Sequence, residues 1–160
     1  MPVRDATPAD VPRMAELAEQ KREQYKTHTP FFHRPKAGAR QAHEPFLASL
    51  VENPERFTLV HEAAGGHVDG FIIAMLVPPP PVYDPGGPSC FVDDFMVESS
   101  DLWSSAGRAL LERAIAATKE RGAVQTVVVC GPQDEPKREM LTSMGHEVAS
   151  EWFTLPFANS

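Results

Sequence analysis

CFVDDFMVESSDLWSSAGRALLERAIAATKERG, residues 90–122, decides how the chain is read, because it describes a strand, a short polar loop and a long helix in direct succession. Cys90, Phe91, Val92, Phe95, Met96 and Val97 make an apolar, β-branched run, with Asp93 and Asp94 set into its middle. Two buried carboxylates are costly without a task or a partner. Downstream, Ala106, Leu110, Leu111, Ala114, Ile115 and Ala117 supply an apolar stripe at helical spacing. Ser104 or Ser105 is placed to cap this helix and Gly122 to end it. A strand feeding a helix N-terminus offers an anion unpaired N–H groups and the positive end of the helix dipole.

Upstream of this unit, a short strand over residues 3–6 precedes Thr7, Pro8 and Asp10, which read as a cap, a first-turn proline and an acidic third position. Val11, Met14, Leu17 and Ala18 are the buried stripe of the helix that follows, predicted to end near Tyr25. THTPFFHRP, residues 27–35, is an aromatic loop whose prolines forbid regular structure. A second helix over 37–52 carries Phe46, Leu47, Leu50 and Val51, with Pro45 as a kink or a break. Residues 57–63 and 68–77 read as a hairpin turning at Gly65 and Gly66. Residues 78–89 are too rich in proline for any element.

Beyond Gly122 the text predicts a buried strand over 124–130, a helix over 135–144 stopped by Gly145, and a last strand over 147–157. Early strands joined by a hairpin and later ones joined through helices imply a mixed sheet with helices on both faces. The expected architecture is thus one α/β (α+β) domain over residues 1–160.

Composition bounds the functions. The formal net charge of −7 argues against a nucleic-acid surface and favours cationic small molecules. No apolar run reaches membrane-spanning length and no signal peptide is read at the start, so the expectation is no membrane and a cytoplasmic location. Cys90 and Cys130 are the two cysteines, placed near the start of one strand and the end of another, which argues against a disulfide. His61 and His67 flank the hairpin without a third ligand at metal spacing, so no metal is expected.

This order of elements, with ATPADVPRMAELA at the front and DDFMV followed by GRALLERA in the middle, resembles the GCN5-related N-acetyltransferase family over nearly the whole chain. The resemblance implies a mostly antiparallel, twisted sheet of about six to seven strands and acetyl-CoA as cosubstrate. It also implies transfer of an acetyl group to a small amine by direct attack, in a monomer or homodimer. The alternative it leaves open is a protein of the same fold that holds CoA or acyl-CoA without turnover.

Carried over position by position, the family's pyrophosphate loop falls on Leu102, Trp103, Ser104, Ser105, Ala106 and Gly107. Its final glycine is present and its first two demanded residues are absent. Ser104, Ser105, Ala106 and Gly107 keep the small residues an anion needs, with Arg108 adding charge, or else Ala106 and Gly107 are small to pack the helix on the sheet. Trp103 either stacks on a ligand or covers the helix end. Phe95, Met96 and Val97 fall where the family's strands splay and leave backbone groups for the pantetheine arm and thioester.

The acidic pair resembles that of family members that acetylate diamines and polyamines, which makes Asp93 and Asp94 the expected acceptors of the amine's proton and the attraction for a cation. One of them bonding only loop backbone or an arginine is the structural alternative. Asp134 stands where the family often has an asparagine, and Leu141 where it has the tyrosine that protonates the departing thiolate. Tyr25 and His33, with His28 and His43 nearby, come from the first helix, loop and second helix, which line the acceptor site in the family.

Overall fold

The structure, a computed structural model, describes residues 2–157. After β1 (Val3–Asp5), the Thr7 amide donates to the Asp10 carboxylate at 2.7 Å and the Asp10 amide returns to the Thr7 carbonyl at 2.9 Å. This reciprocal pair launches a single 3₁₀ turn and then α1 (Val11–His28). The Arg4 guanidinium grips the same Asp10 and holds its carboxyl below the ordinary range. α1 passes the predicted end at Tyr25, because Lys26, Thr27 and His28 can all stay helical and the next proline after Pro12 comes only at Pro30.

α2 (Ala39–Val51) starts two residues later than predicted, since Gly38 precedes it with φ of 72°. Pro45 lies within α2 and does not break it. β2 (Arg56–Glu62) and β3 (Val68–Val77) form the expected hairpin, followed by β4 (Ser89–Val97), α3 (Arg108–Lys119), β5 (Gln125–Val128) and α4 (Glu135–Ser143).

One sheet runs β1-β2-β3-β4-β5, antiparallel throughout except for the parallel β4–β5 pair. α1 packs on β3, β4 and α2, whereas α3 packs on β2 and β3 apart from them. Helices meeting the same strands without meeting each other lie on opposite faces, and β3 is buried without alternation from Val68 to Ala74. The core is built from the predicted stripes: Val11, Met14, Leu17 and Ala18 of α1, Leu47 and Leu50 of α2, and Leu110, Leu111 and Ala114 of α3.

Three expectations fail. Among the described residues the sheet has five strands rather than six to seven, because residues 147–157 form no strand and lie exposed. The predicted strand over 124–130 shortens to β5 and is no buried strand: at the sheet edge its residues alternate between exposed and half-buried. The helical run does not begin at Ser104 or Ser105. It begins with a 3₁₀ turn (Ser100–Leu102) after extended Ser99, and continues through a π-helical turn (Trp103–Gly107) into α3.

Candidate active site

The register across β3 and β4 passes from Ile72 opposite Phe95 to Ala74 opposite Val92. Asp93 and Asp94 therefore face Ile73 alone, as a β-bulge. The bulge overturns the picture of two buried carboxylates: the extra residue turns Asp93 out to solvent and leaves Asp94 half-buried. It also marks the end of the β4–β5 ladder, whose last register pair is Val92 with Val128, followed by a single bond from the Val129 amide to the Val92 carbonyl at 3.0 Å. From Asp93 onward β4 has no paired strand on its β5 side among the described residues, which makes the end of the ladder a candidate wedge with Phe95, Met96 and Val97 on one wall.

α1, α2 and the approach to α4 line the mouth of this wedge. Tyr25 is buried and donates to the Asp134 carboxylate at 2.7 Å, while the Gly131 amide donates to the Tyr25 hydroxyl at 3.1 Å. A side chain at 131 would crowd Tyr25, since a Cβ there would stand 3.0 Å from its ring and the ring would have to give. Burial, reinforced by Asp134, pushes the Tyr25 phenol up, so it stays a neutral donor. The second Asp134 carboxylate oxygen is buried with no partner among the described residues.

His33 packs edge-on against Tyr25 and contacts the Thr29 hydroxyl, and burial first, then Lys21 and His28, lower its pKa. Arg22 donates to Nδ1 of His43 at 3.0 Å. A guanidinium is only a donor, so Nδ1 is the bare nitrogen and the ring is neutral. Burial lowers His43 in the same direction, against the opposing pull of Asp94. The other terminal nitrogen of Arg22 is buried without a partner among the described residues. Lys21 donates to the Asp93 carbonyl at 3.1 Å, and the Asp93 carboxylate has no side-chain hydrogen bond among the described residues.

The floor of the wedge holds a residue that the sequence reading passed over. Lys137, on the first turn of α4, is 0% exposed; its ammonium donates to the Val129 carbonyl at 3.0 Å and lies 5.3 Å from the Phe95 and Trp103 ring centroids. Burial above all, with Lys21, lowers its pKa to about 8, against the pull of Cys130, Asp134 and Asp93. A signal for it exists in the sequence: Lys137, Met140, Leu141 and Met144 share the i, i+3, i+4, i+7 stripe, which places a lysine on a buried face.

On the other side of the wedge, Trp103 is buried with its ring edge-on to Phe95 at 4.8 Å, so it covers the helix end. Ala106 and Gly107 are buried, and a Cβ at 107 would meet the Trp103 ring at 2.7 Å. The small size of Gly107 is thus explained by packing. Ser104 and Ser105 are exposed, and Arg108 bonds Glu112 at 2.9 Å. Leu141 is buried in the core and brings no proton to the wedge.

No protein-family model and no curated protein matches the chain. Solved structures do match it in fold. A tetramutant of the BH1408 protein from Bacillus halodurans superimposes with a TM-score of 0.84 at 18% identity, over 98% of this chain and 100% of that one. A predicted acetyltransferase with acetyl-CoA from Clostridium acetobutylicum matches with a TM-score of 0.70 at 15% identity, over 96% and 94%. Ribosomal-protein-alanine N-acetyltransferase from Brucella melitensis biovar Abortus matches at 0.67 and 16%, over 98% and 100%. The fold is that of the GCN5-related acetyltransferases.

Proposed function

We propose that the chain is an acetyl-CoA-dependent N-acetyltransferase acting on a small, cationic amine. The observation that carries this reading is the β-bulge at Asp93 and Asp94, at which the β4–β5 ladder stops and a wedge opens. Two further features suit the pantetheine arm: the backbone of Phe95, Met96 and Val97 along one wall, and the unpartnered Asp134 oxygen, which an amide N–H would satisfy. Ser104, Ser105 and Arg108, exposed or half-buried at the π-helical turn, are placed to meet the pyrophosphate, with Ala106 and Gly107 supporting the turn from below.

Bound acetyl-CoA supplies an activated acetyl thioester. The residues of this chain supply the rest. Asp93 is the exposed carboxylate that meets a cationic acceptor. Asp94, deeper and beside His43, takes the proton that an ammonium must lose before it attacks. His43 cannot take it in the observed state, since its bare nitrogen already accepts from Arg22. Tyr25 and His33 wall the acceptor side and hold the Gly131–Asp134 turn in place.

Buried Leu141 favours a second reading, a protein that holds CoA with slow turnover or none. Titration calorimetry with acetyl-CoA, followed by a panel of amines, tests both. Heat and turnover favouring cationic amines support the first reading; heat without turnover supports the second. No heat and no thermal stabilisation at millimolar ligand refutes both.

A further inference from the structure

Lys137 stands at the point where β4 and β5 stop pairing. In a parallel ladder the two strands donate to each other in turn, so after the Val129 amide has bonded the Val92 carbonyl, the next bond due runs from the Asp94 amide to the Val129 carbonyl. The register ends before it, and the Lys137 ammonium takes that carbonyl instead, at 3.0 Å. The rings of Phe95, on the β4 wall, and Trp103 flank the same nitrogen at 5.3 Å. A group that enters the candidate wedge to its end therefore meets Nζ of Lys137.

The surroundings of this ammonium leave it work to do. An ammonium has three N–H donors, and a single one of them has a hydrogen-bond acceptor among the described residues, a neutral carbonyl. A fully buried cation held in this way is costly, and it suits negative charge that arrives with a ligand. Leu141, one turn later on the same stripe of α4, has no proton to give.

Resting on the reading of acetyl transfer above, we propose that Lys137 is the acid of the reaction, its ammonium touching the thioester sulfur and protonating it as the thiolate departs. A bond forms between the acceptor nitrogen and the acetyl carbon, and the C–S bond breaks with its electron pair on sulfur. The nitrogen of a cationic amine sheds two protons, the first to Asp94 and the second to water. Lys137 gives sulfur one proton and takes one back from water, so each turnover releases one proton. The acid and the leaving group are matched. Burial above all, with Lys21 of α1, lowers Lys137 to about 8, against Cys130 and Asp134 on the β5–α4 connection and Asp93 on β4. A free thiol titrates near about 8.5, so the proton moves between groups of nearly equal strength.

The test uses CoA, the product, without an acceptor. Calorimetry with the full chain reads its binding, and the ultraviolet absorbance of the thiolate, less that of the protein alone, gives the pKa of the bound thiol. Burial pushes the thiols of Cys90 and Cys130 up, away from the range of interest. Beside the ammonium the bound thiol should ionise about one pH unit or more below its free value. In Lys137→Met and Lys137→Gln it should return to that value, with CoA affinity within a fewfold of the parent. Glutamine keeps a donor for the Val129 carbonyl, so a shift that survives there belongs to the fold and not to the ammonium. With the amine panel, both variants should lose about 10²- to 10⁴-fold in kcat and keep the KM for acetyl-CoA. Bound CoA with an unshifted thiol, a shift that survives both substitutions, or an unchanged kcat overturns the role of Lys137 alone. No heat with CoA overturns it together with the reading on which it rests.

Discussion

Replacing Lys137 by Met should stabilise the protein at neutral pH and flatten its stability in alkali. The Lys137 ammonium is 0% exposed, and its pKa falls from the ordinary 10.5 to about 8. At 1.36 kcal/mol per pK unit, holding that charge costs the folded state about 3 kcal/mol wherever lysine is protonated in both states. The sign follows from proton counts. Between pH 8 and 10.5 the unfolded chain holds a proton that the folded one has released, so stability rises with pH across this window and the cost is fully felt below it. Methionine keeps the apolar stem and removes the charge, while the Val129 carbonyl loses its donor at a cost of about 1 kcal/mol. The net gain is about 2 kcal/mol at pH 7, or about 5 °C in Tm for a domain of this size. Urea unfolding of both proteins at pH 7 and at pH 10 measures it. The difference should shrink or reverse at pH 10. A variant less stable than the parent by the same amount at both pH values would show that the ammonium keeps its proton at an ordinary pKa in the folded chain, charge-paired or solvated.

Tyr25→Phe removes the donor to Asp134 and the acceptor of the Gly131 amide, leaving buried polar groups unpaired, and should cost about 1–3 kcal/mol in chemical unfolding. Gly107→Ala drives a methyl to 2.7 Å from the Trp103 ring and should cost about 1–3 kcal/mol, read from the urea midpoint. Asp94→Asn should slow acetyl transfer by about 10²- to 10⁴-fold with acetyl-CoA binding preserved, seen by steady-state kinetics beside calorimetry. Leu141→Tyr should raise turnover or leave it unchanged according to whether the new hydroxyl reaches the thioester sulfur, and a loss of turnover at intact stability would place Leu141 in the site itself.

What was legible in the sequence follows from how local each cause is. Thr7 and Asp10 announce the start of the first helical run because a cap is a contact over three residues. The stripes of α1 and α3 survive in the core because their 3.6-residue period is a property of the helix alone. The start of the run toward α3 was not legible: the cap was expected at Ser104 or Ser105, and SSDLWSS carries a second serine pair upstream, Ser99 and Ser100. The choice falls upstream, where the packing of Trp103 over Gly107 and against Phe95 draws residues 103–107 into the helix. The bulge escaped notice for the same reason. Asp93 and Asp94 look alike in the text, and only the register against Ile73 separates an exposed carboxylate from a half-buried one.

The site residues divide along that same line. Tyr25 bonds Asp134 and packs on His33, and His43, named beside them in the sequence, accepts from Arg22, whereas Arg22 and Lys137 carried no signal of their own as site residues and join the group through packing. Their arrival changes the electrostatic argument. The acidity of the whole chain suggests a cation-seeking pocket, but Lys21, Arg22 and Lys137 stand among Asp93, Asp94 and Asp134, three cations to three carboxylates. Net charge therefore does not choose the acceptor. Exposure does: Lys137 and Asp134 are sealed in the floor, Lys21 is held by a backbone carbonyl, and the Asp93 carboxylate is the acidic group turned to solvent by the bulge. The expected preference for cationic amines resides in that one side chain, and Asp93→Asn should abolish it while the rate with neutral amines stays within a fewfold of the parent.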